Sequence, residues 1–227
     1  MKNLTVIVPV YNEELFLEES IKRLADLEKD FSIIIIDDCS DDNSPKIARH
    51  YEEKFEFITY IRKDKNEGKG SVLKEAIKHI HTDFTVIHDA DLEYFPEDIL
   101  LMYKNIDINS FVLGSRFIGN KKRKNIYMRT FIANKVMSYF FSLIFFTKVT
   151  DIATCYKMFP TKTLKNYAIK ENGFSIEIEL AAKLLRSKLN YIEVPIKYEG
   201  RSYAEGKKIR FYDGILYFFN TLKYRIL

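Results

Sequence analysis

Ile33-Ile34-Ile35-Ile36 is the feature that most narrows what this chain can fold into. A run that is apolar at every position has no solvent side. It therefore suits a strand covered on both faces, as in a parallel sheet packed between helices. Similar short runs recur at Leu4–Val10, Phe31–Ile36, Phe57–Ile61, Phe84–His88 and Phe111–Ser115, separated by amphipathic stretches at Glu13–Leu27, Pro45–Glu53, Gly70–Ile80 and Pro96–Asn105. This alternation predicts an α/β fold whose mostly parallel sheet is flanked by helices. Ligands of such sheets sit beyond the carboxyl ends of the strands, so the residues that close each strand are where chemistry is expected.

Those ends read Pro9-Val10-Tyr11-Asn12-Glu13-Glu14, Asp37-Asp38-Cys39-Ser40-Asp41-Asp42, Asp89-Ala90-Asp91-Leu92-Glu93 and Gly114-Ser115-Arg116. Any one alone serves as a turn or a helix cap, where Asp, Asn and Ser are favoured. Three acidic clusters at one sheet edge repel one another unless a cation offsets them. In Asp89-Ala90-Asp91-Leu92-Glu93 the carboxylates alternate, so an extended backbone aims all three to one side, where they could share a metal. An all-oxygen set favours Mg²⁺ or Mn²⁺, which complete their coordination with water and substrate phosphates. Asn66-Glu67-Gly68-Lys69-Gly70 has neither the P-loop nor the dinucleotide-binding spacing, which disfavours a P-loop ATPase or a dehydrogenase. Ahead of an amphipathic helix it either starts that helix or offers N–H groups and a cation to an anion.

Charge and length bound the rest. The 227 residues carry 36 Lys+Arg against 32 Asp+Glu and are 47% apolar, as expected of one globular domain. Two distant cysteines, Cys39 and Cys155, make no disulfide framework or zinc site. The N-terminus lacks signal-peptide features, so a cytoplasmic location is expected. The longest uncharged apolar-rich run, Val136–Thr147, has 12 residues, against the roughly 20 a membrane span needs. From Ile108 through Thr150 there is no acid, while Arg116, Lys121, Lys122, Arg123, Lys124, Arg129, Lys135 and Lys148 stand among aromatic residues. That pattern reads as a membrane-surface element that also attracts phosphate, or as a buried helix with a solvated basic loop. Nucleic acid is disfavoured by the acidic strand ends. The four histidines show no metal-ligand spacing, and no serine-nucleophile elbow is present.

Taken in order, V-P-V-Y-N-E-E, I-D-D-C-S-D-D, N-E-G-K-G, D-A-D-L-E-Y and G-S-R make the chain resemble glycosyltransferase family 2, with its type-A, Rossmann-like glycosyltransferase fold. T-D-I-A-T-C-Y-K at 150–157, G-F-S-I-E-I-E at 173–179 and E-V-P at 193–195, followed by G-R-S-Y-A-E-G-K-K-I at 200–209, are similar to its dolichol-phosphate mannose synthase branch. The resemblance implies that residues 1–116 bind the nucleotide sugar and 117–227 form an acceptor-side, membrane-facing extension of the same domain. It implies that Pro9, Tyr11 and Glu13 hold the nucleotide, that Asp38 recognises its base, and that Asp89 and Asp91, with Ala90 between them, line the sugar nucleotide. Asp91 and Glu93, with Asp89, are the expected metal ligands. Relatives often carry Gly at Cys39 and Gln at Glu93, and many have C-terminal transmembrane helices that are not found in this sequence.

The expected reaction is inverting, metal-dependent transfer from a nucleoside-diphosphate sugar to a polyprenyl phosphate, by a protein attached peripherally to the cytoplasmic membrane face. A phosphate monoester, with a second pKa near ~6, is already an anionic nucleophile and needs no strong base. It needs help for the departing diphosphate, expected from Asp91 and its metal, and cations aligning the acceptor phosphate, expected from Ser115, Arg116, Arg129 and Arg201. Arg116 and Arg129 are thus counted as catalytic with Asp91. Lys69, Arg201, Lys207 and Lys208 are expected on the donor, the last two as part of a closing loop. Two other readings stay open: a non-lipid acceptor, with Glu177 or Glu179 as general base, and an inactive nucleotide-sugar-binding scaffold.

Overall fold

The computed structural model describes residues 3–27, 31–121, 123–125, 127–201 and 211–226. The first half alternates as expected: β1 (Leu4–Val10), α1 (Leu17–Ala25), β2 (Ser32–Asp37), α2 (Ser44–Lys54), β3 (Ile58–Arg62), α3 (Lys69–Ile77), β4 (Phe84–Ile87), α4 (Glu97–Lys104) and β5 (Ser110–Ser115). The second half adds β6 (Arg123–Lys124), α5 (Met128–Phe145), β7 (Lys157–Pro160), α6 (Thr161–Lys165), α7 (Ile176–Arg186), β8 (Asn190–Pro195), β9 (Tyr198–Glu199) and α8 (Phe211–Ile226).

The main sheet has the order β3-β2-β1-β4-β7-β5-β8 and is parallel except at β7, which runs antiparallel to both neighbours. The four isoleucines of β2 are all buried, and they divide between the two faces. Ile33 and Ile35 join the core under α1 and α2, while Ile34 and Ile36 join the core with Val72 and Leu73 of α3 and Ile176 of α7. Helix α1 buries Leu17, Ile21 and Leu24 at helical spacing and sets Glu18 and Glu19 at its positive end. It starts four residues later than the sequence pattern suggests, because Glu13 stays in a turn whose carbonyl accepts the N–H groups of Phe16 and Leu17. In the sheet β4 and β5 are not neighbours. The chain returns after α5 and inserts β7 between them.

Two long-range attachments hold the strand ends in place. The loop before α3 packs against residues 171–173, with Gly70 N–H donating to the Asn172 carbonyl at 2.6 Å. A Cβ on Gly70 would lie 2.1 Å from the Glu171 carbonyl oxygen, and one on Gly68, whose φ is +95°, would lie 2.7 Å from that of Asn172. Glycine is needed here for close backbone approach. At the end of β5 the buried Arg116 gives its main-chain N–H, Nε and an Nη to Asp151 at 3.0, 2.7 and 2.8 Å. That fork-on-carboxylate pair ties the segment after α5 to the sheet edge.

Both attachments make predictions for stability. Gly70→Ala forces two backbone segments apart and should cost about 1–3 kcal/mol. Asp151→Ala strands a buried guanidinium and should cost about 3–5 kcal/mol. Urea unfolding midpoints measure both. Wild-type stability in either variant would contradict the corresponding attachment.

Candidate active site

The acidic cluster lies at the carboxyl ends of β1 and β4, but its backbone is not extended. Leu92 takes φ +60°, inside a turn that follows β4, so the three carboxylates of Asp89-Ala90-Asp91-Leu92-Glu93 point to different partners. This corrects the one-sided set expected from alternation. Asp89 turns inward to Lys69, with Nζ 2.6 Å from its carboxylate. Asp91 faces Arg201 at 3.2 Å. Glu93 accepts the Tyr198 hydroxyl at 2.6 Å and the Arg201 main-chain N–H at 2.7 Å.

Arg201 is the cation at the centre of this arrangement. Its guanidinium lies 2.9 Å from Glu13 of the β1 end and 3.2 Å from Asp91, and it stacks 5.1 Å above the Phe16 ring. It does not offset the cluster fully. Burial, together with the nearby charges of Glu93 and Asp89, pushes the Asp91 carboxyl up to about 7 despite Arg201.

Beneath Asp89 runs a buried chain of alternating charge. Lys69 bridges Asp89 to Glu177 at 2.9 Å, and the other oxygen of Glu177 meets Lys157, which also donates to the Thr154 carbonyl. Burial lowers the Lys69 pKa, but Asp89 and Glu177 more than offset it and hold it well above the ordinary value. Burial pushes the half-buried Asp89 carboxyl up, but Lys69 outweighs this and keeps it below its usual range. Beside it, His88 hydrogen-bonds the Tyr156 hydroxyl at 2.8 Å, and burial lowers its pKa to about 4, leaving a neutral ring.

Several expected contacts are already taken by the protein itself. Asp38, expected at the base, accepts Lys63 Nζ at 2.6 Å and the N–H groups of Glu67 and Gly68, so it anchors the loop before α3. Ser115 is buried and shares a 2.6 Å hydrogen bond with Thr150. Arg116 is closed off by Asp151 and by the Tyr198 ring 4.9 Å away. Neither Ser115 nor Arg116 is placed to meet an acceptor phosphate. Instead Arg116 backs Tyr198, the residue that grips Glu93. Arg201, expected on either phosphate, is drawn into the acid cluster by its charge. Lys69 is likewise directed to carboxylates and not outward. Glu177 and Glu179, the two acids considered as a general base, are both buried. Glu179 accepts the N–H groups of Lys170 and Glu171 at 2.7 Å.

Other expected residues lie where a ligand can reach them. Tyr11 is exposed just after β1, Pro9 is half-buried within it, and Arg129 is exposed on the first turn of α5. Ala90 is buried. Lys207 and Lys208 fall outside the described residues. A cleft of about 310 Å³ opens beside Cys39, Arg62, Lys63 and Asp64, at the carboxyl ends of β2 and β3. Cys39 there adopts φ +66°, a left-handed backbone that favours glycine. The residues missed by the sequence reading are Tyr198, which holds Glu93, and Asp151, which occupies Arg116. Both lie far along the chain from the motifs they serve.

A divalent cation fits this donor set in a limited way. The raised Asp91 carboxyl marks a spot short of positive charge, and its oxygen donors suit Mg²⁺ or Mn²⁺. Yet among the described residues no group of three or more His, Cys, Asp or Glu side chains is arranged to hold a metal. Asp89 leaves the expected ligand set because Lys69 occupies it. Asp91 and Glu93 would be the protein ligands, with a diphosphate completing the shell.

Comparison with known proteins agrees with this architecture. The sequence pattern of "Glycosyl transferase family 2" matches residues 5–168. The UDP-N-acetylglucosamine–dolichyl-phosphate N-acetylglucosaminyltransferase of Methanococcus voltae is 29% identical across 98% of this chain and 96% of its own length. The dolichol-phosphate mannosyltransferase of Pyrococcus furiosus is 28% identical across 90% of this chain, which spans 60% of that longer protein. Among solved structures, glucosyl-3-phosphoglycerate synthase from Mycobacterium tuberculosis, in complex with Mn²⁺, UDP and glucosyl-3-phosphoglycerate, superposes with a TM-score of 0.70 at 16% identity, covering 98% of this chain and 79% of its own. That likeness establishes the type-A glycosyltransferase fold. With acidic residues gathered at the strand ends of that fold, the chain belongs to glycosyltransferase family 2.

Proposed function

We propose that this glycosyltransferase moves a sugar from a nucleoside-diphosphate donor to a polyprenyl phosphate, undecaprenyl or dolichyl, at a membrane surface on the cytoplasmic side. The observation that carries this reading is the engagement of Glu177 and Glu179. With both acids locked in buried pairs, the reaction is best served by an acceptor that brings its own negative charge. The names of the Methanococcus voltae and Pyrococcus furiosus relatives, both acting on dolichyl phosphates, support the same acceptor class.

A single displacement by a phosphate oxygen inverts the anomeric carbon and requires no covalent enzyme intermediate. When bound, Mg²⁺ or Mn²⁺ would supply Lewis-acid stabilisation of the departing diphosphate, with Asp91 and Glu93 as its protein ligands. The protein's share is positioning. Lys69 keeps Asp89 ionised and fixed at the floor of the site, Tyr198 fixes Glu93, and Glu13 fixes Arg201. Arg129 is the cation proposed for the acceptor phosphate, and the cleft beside Cys39 and Asp64 for the nucleotide.

The direct test incubates the protein with Mn²⁺ or Mg²⁺, radiolabelled nucleotide sugars and undecaprenyl or dolichyl phosphate. Label should enter the organic phase with a prenyl phosphate and not with the corresponding alcohol. Equal labelling of the alcohol would refute the phosphate acceptor. Asp91→Asn should remain folded and lose about two orders of magnitude in transfer rate, the scale of losing a key electrostatic stabiliser. Near-normal turnover would exclude Asp91 from the reaction. Arg129→Lys swaps a planar fork for a point charge. It should raise KM for the prenyl phosphate while leaving nucleotide-sugar affinity nearly constant, and the reverse pattern would move Arg129 to the donor side.

A further inference from the structure

Helix α5 is apolar on two sides. One side is buried, through Phe141 and Phe145, against the core. On the other, Met128, Ile132, Val136, Tyr139, Leu143 and Phe146 are between 51% and 84% exposed. Their spacings of four and three residues put the first five on one narrow stripe of a helix about 27 Å long, with Phe146 at its C-cap. Large apolar side chains in a continuous row are not the scattered surface residues of an ordinary soluble domain.

Helix α8 extends this row into a plane. It packs on α5, with the rings of Phe140 and Phe218 5.1 Å apart, and exposes Phe219, Leu222 and Ile226 at helical spacing. The charges on residues 108–150, the segment that carries α5, have one sign. The eight cations of segment 108–150 exceed the whole chain's net +4, so the rest of the chain is net acidic. Arg123, Lys124, Arg129 and Lys148 are exposed there. Lys135 lies 4.7 Å over the Phe117 ring and Arg225 5.6 Å over that of Phe146, so apolar surface and cation alternate at the edge.

We propose that the outer faces of α5 and α8 together form the surface by which the protein lies on an anionic lipid bilayer, with the exposed apolar stripe in the acyl boundary and the basic rim at the headgroups. Complementary charge selects the bilayer over a second copy of this chain, which would bring like basic rims together. The fold then sets the orientation. The chain just before α5 forms β6, whose Arg123 pairs with Tyr198 of β9, so α5 begins four residues after a strand that borders the acid cluster. A protein lying on α5 and α8 therefore holds Arg129, on the first turn of α5, at headgroup depth. That use of the face rests on the polyprenyl-phosphate reading, whereas attachment to lipid does not.

The test is flotation of the full chain with vesicles of phosphatidylcholine, or of an equimolar phosphatidylcholine and phosphatidylglycerol mixture, read without substrate. The parent should float with the anionic vesicles, and less so as salt rises. The triple variant Ile132→Gln, Val136→Gln, Leu143→Gln, and separately Phe219→Gln with Leu222→Gln, should each lose about tenfold or more in vesicle partitioning. Ile108→Gln, which removes an exposed apolar side chain away from both helices, should float like the parent. Circular dichroism and nucleotide binding check that each variant is folded. Unchanged flotation of the folded variants, or a parent that ignores both vesicles, would overturn the proposal. So would a parent dimer in sedimentation velocity that the triple variant dissolves. Flotation without transfer to any prenyl phosphate would instead overturn the acceptor reading and leave this surface standing.

Discussion

Carboxylates that must lie close together dominate the energetics of this sheet edge. Several acidic side chains converge beyond β1, β2 and β4, mostly buried, where unpaired charge is expensive. Each is matched by a cation from elsewhere in the chain: Lys63 on Asp38, Lys69 on Asp89, Arg201 on Glu13 and Asp91. Glu177 carries the scheme one layer deeper by pairing with both Lys69 and Lys157. The fold can keep the acids in place because these cations arrive on segments separately tied to the sheet. Asp91 is the least well compensated, and that is why a further positive charge is most welcome there.

How far this was legible in the sequence follows from how local each signal is. The strand-helix alternation, the parallel sheet and the gathering of acids at strand ends depend on periodicity and on the order of motifs, and the structure reproduces them. The aim of individual side chains depends on one or two backbone angles. A left-handed Leu92 redirects the three carboxylates, and no alternation rule foresees it. The insertion of β7 between β4 and β5 is equally silent, because a four-residue buried run carries too little pattern to reveal its neighbours.

Arginine was the most misleading residue type. A lone arginine beside a phosphate-binding edge reads as an anion contact, but the same side chain is also the best partner for a buried carboxylate. Asp151, 35 residues after Arg116, decides between the two, and sequence separation hides the pairing. The outcome still bears on the chemistry. Arg116 stacks under Tyr198, whose hydroxyl holds Glu93, so it acts on the expected metal ligand through an aromatic ring.

The same reasoning explains why α5 gave a blurred signal. Amphipathicity is read from contrast between two faces, and contrast vanishes when one face meets the core and the other is also apolar. At 18 residues the helix approaches membrane-spanning length, yet no helix among the described residues is long and apolar enough to cross a bilayer. Arg129 and Lys135 interrupt it, and Asn134 and Ser138 lie on its buried side. A helix so built is held against the protein from Asn134 to Phe145, which leaves its outer stripe at the surface. The apolar character that sequence alone assigns either to a core or to a membrane is here divided between a side packed on the core and a side left exposed.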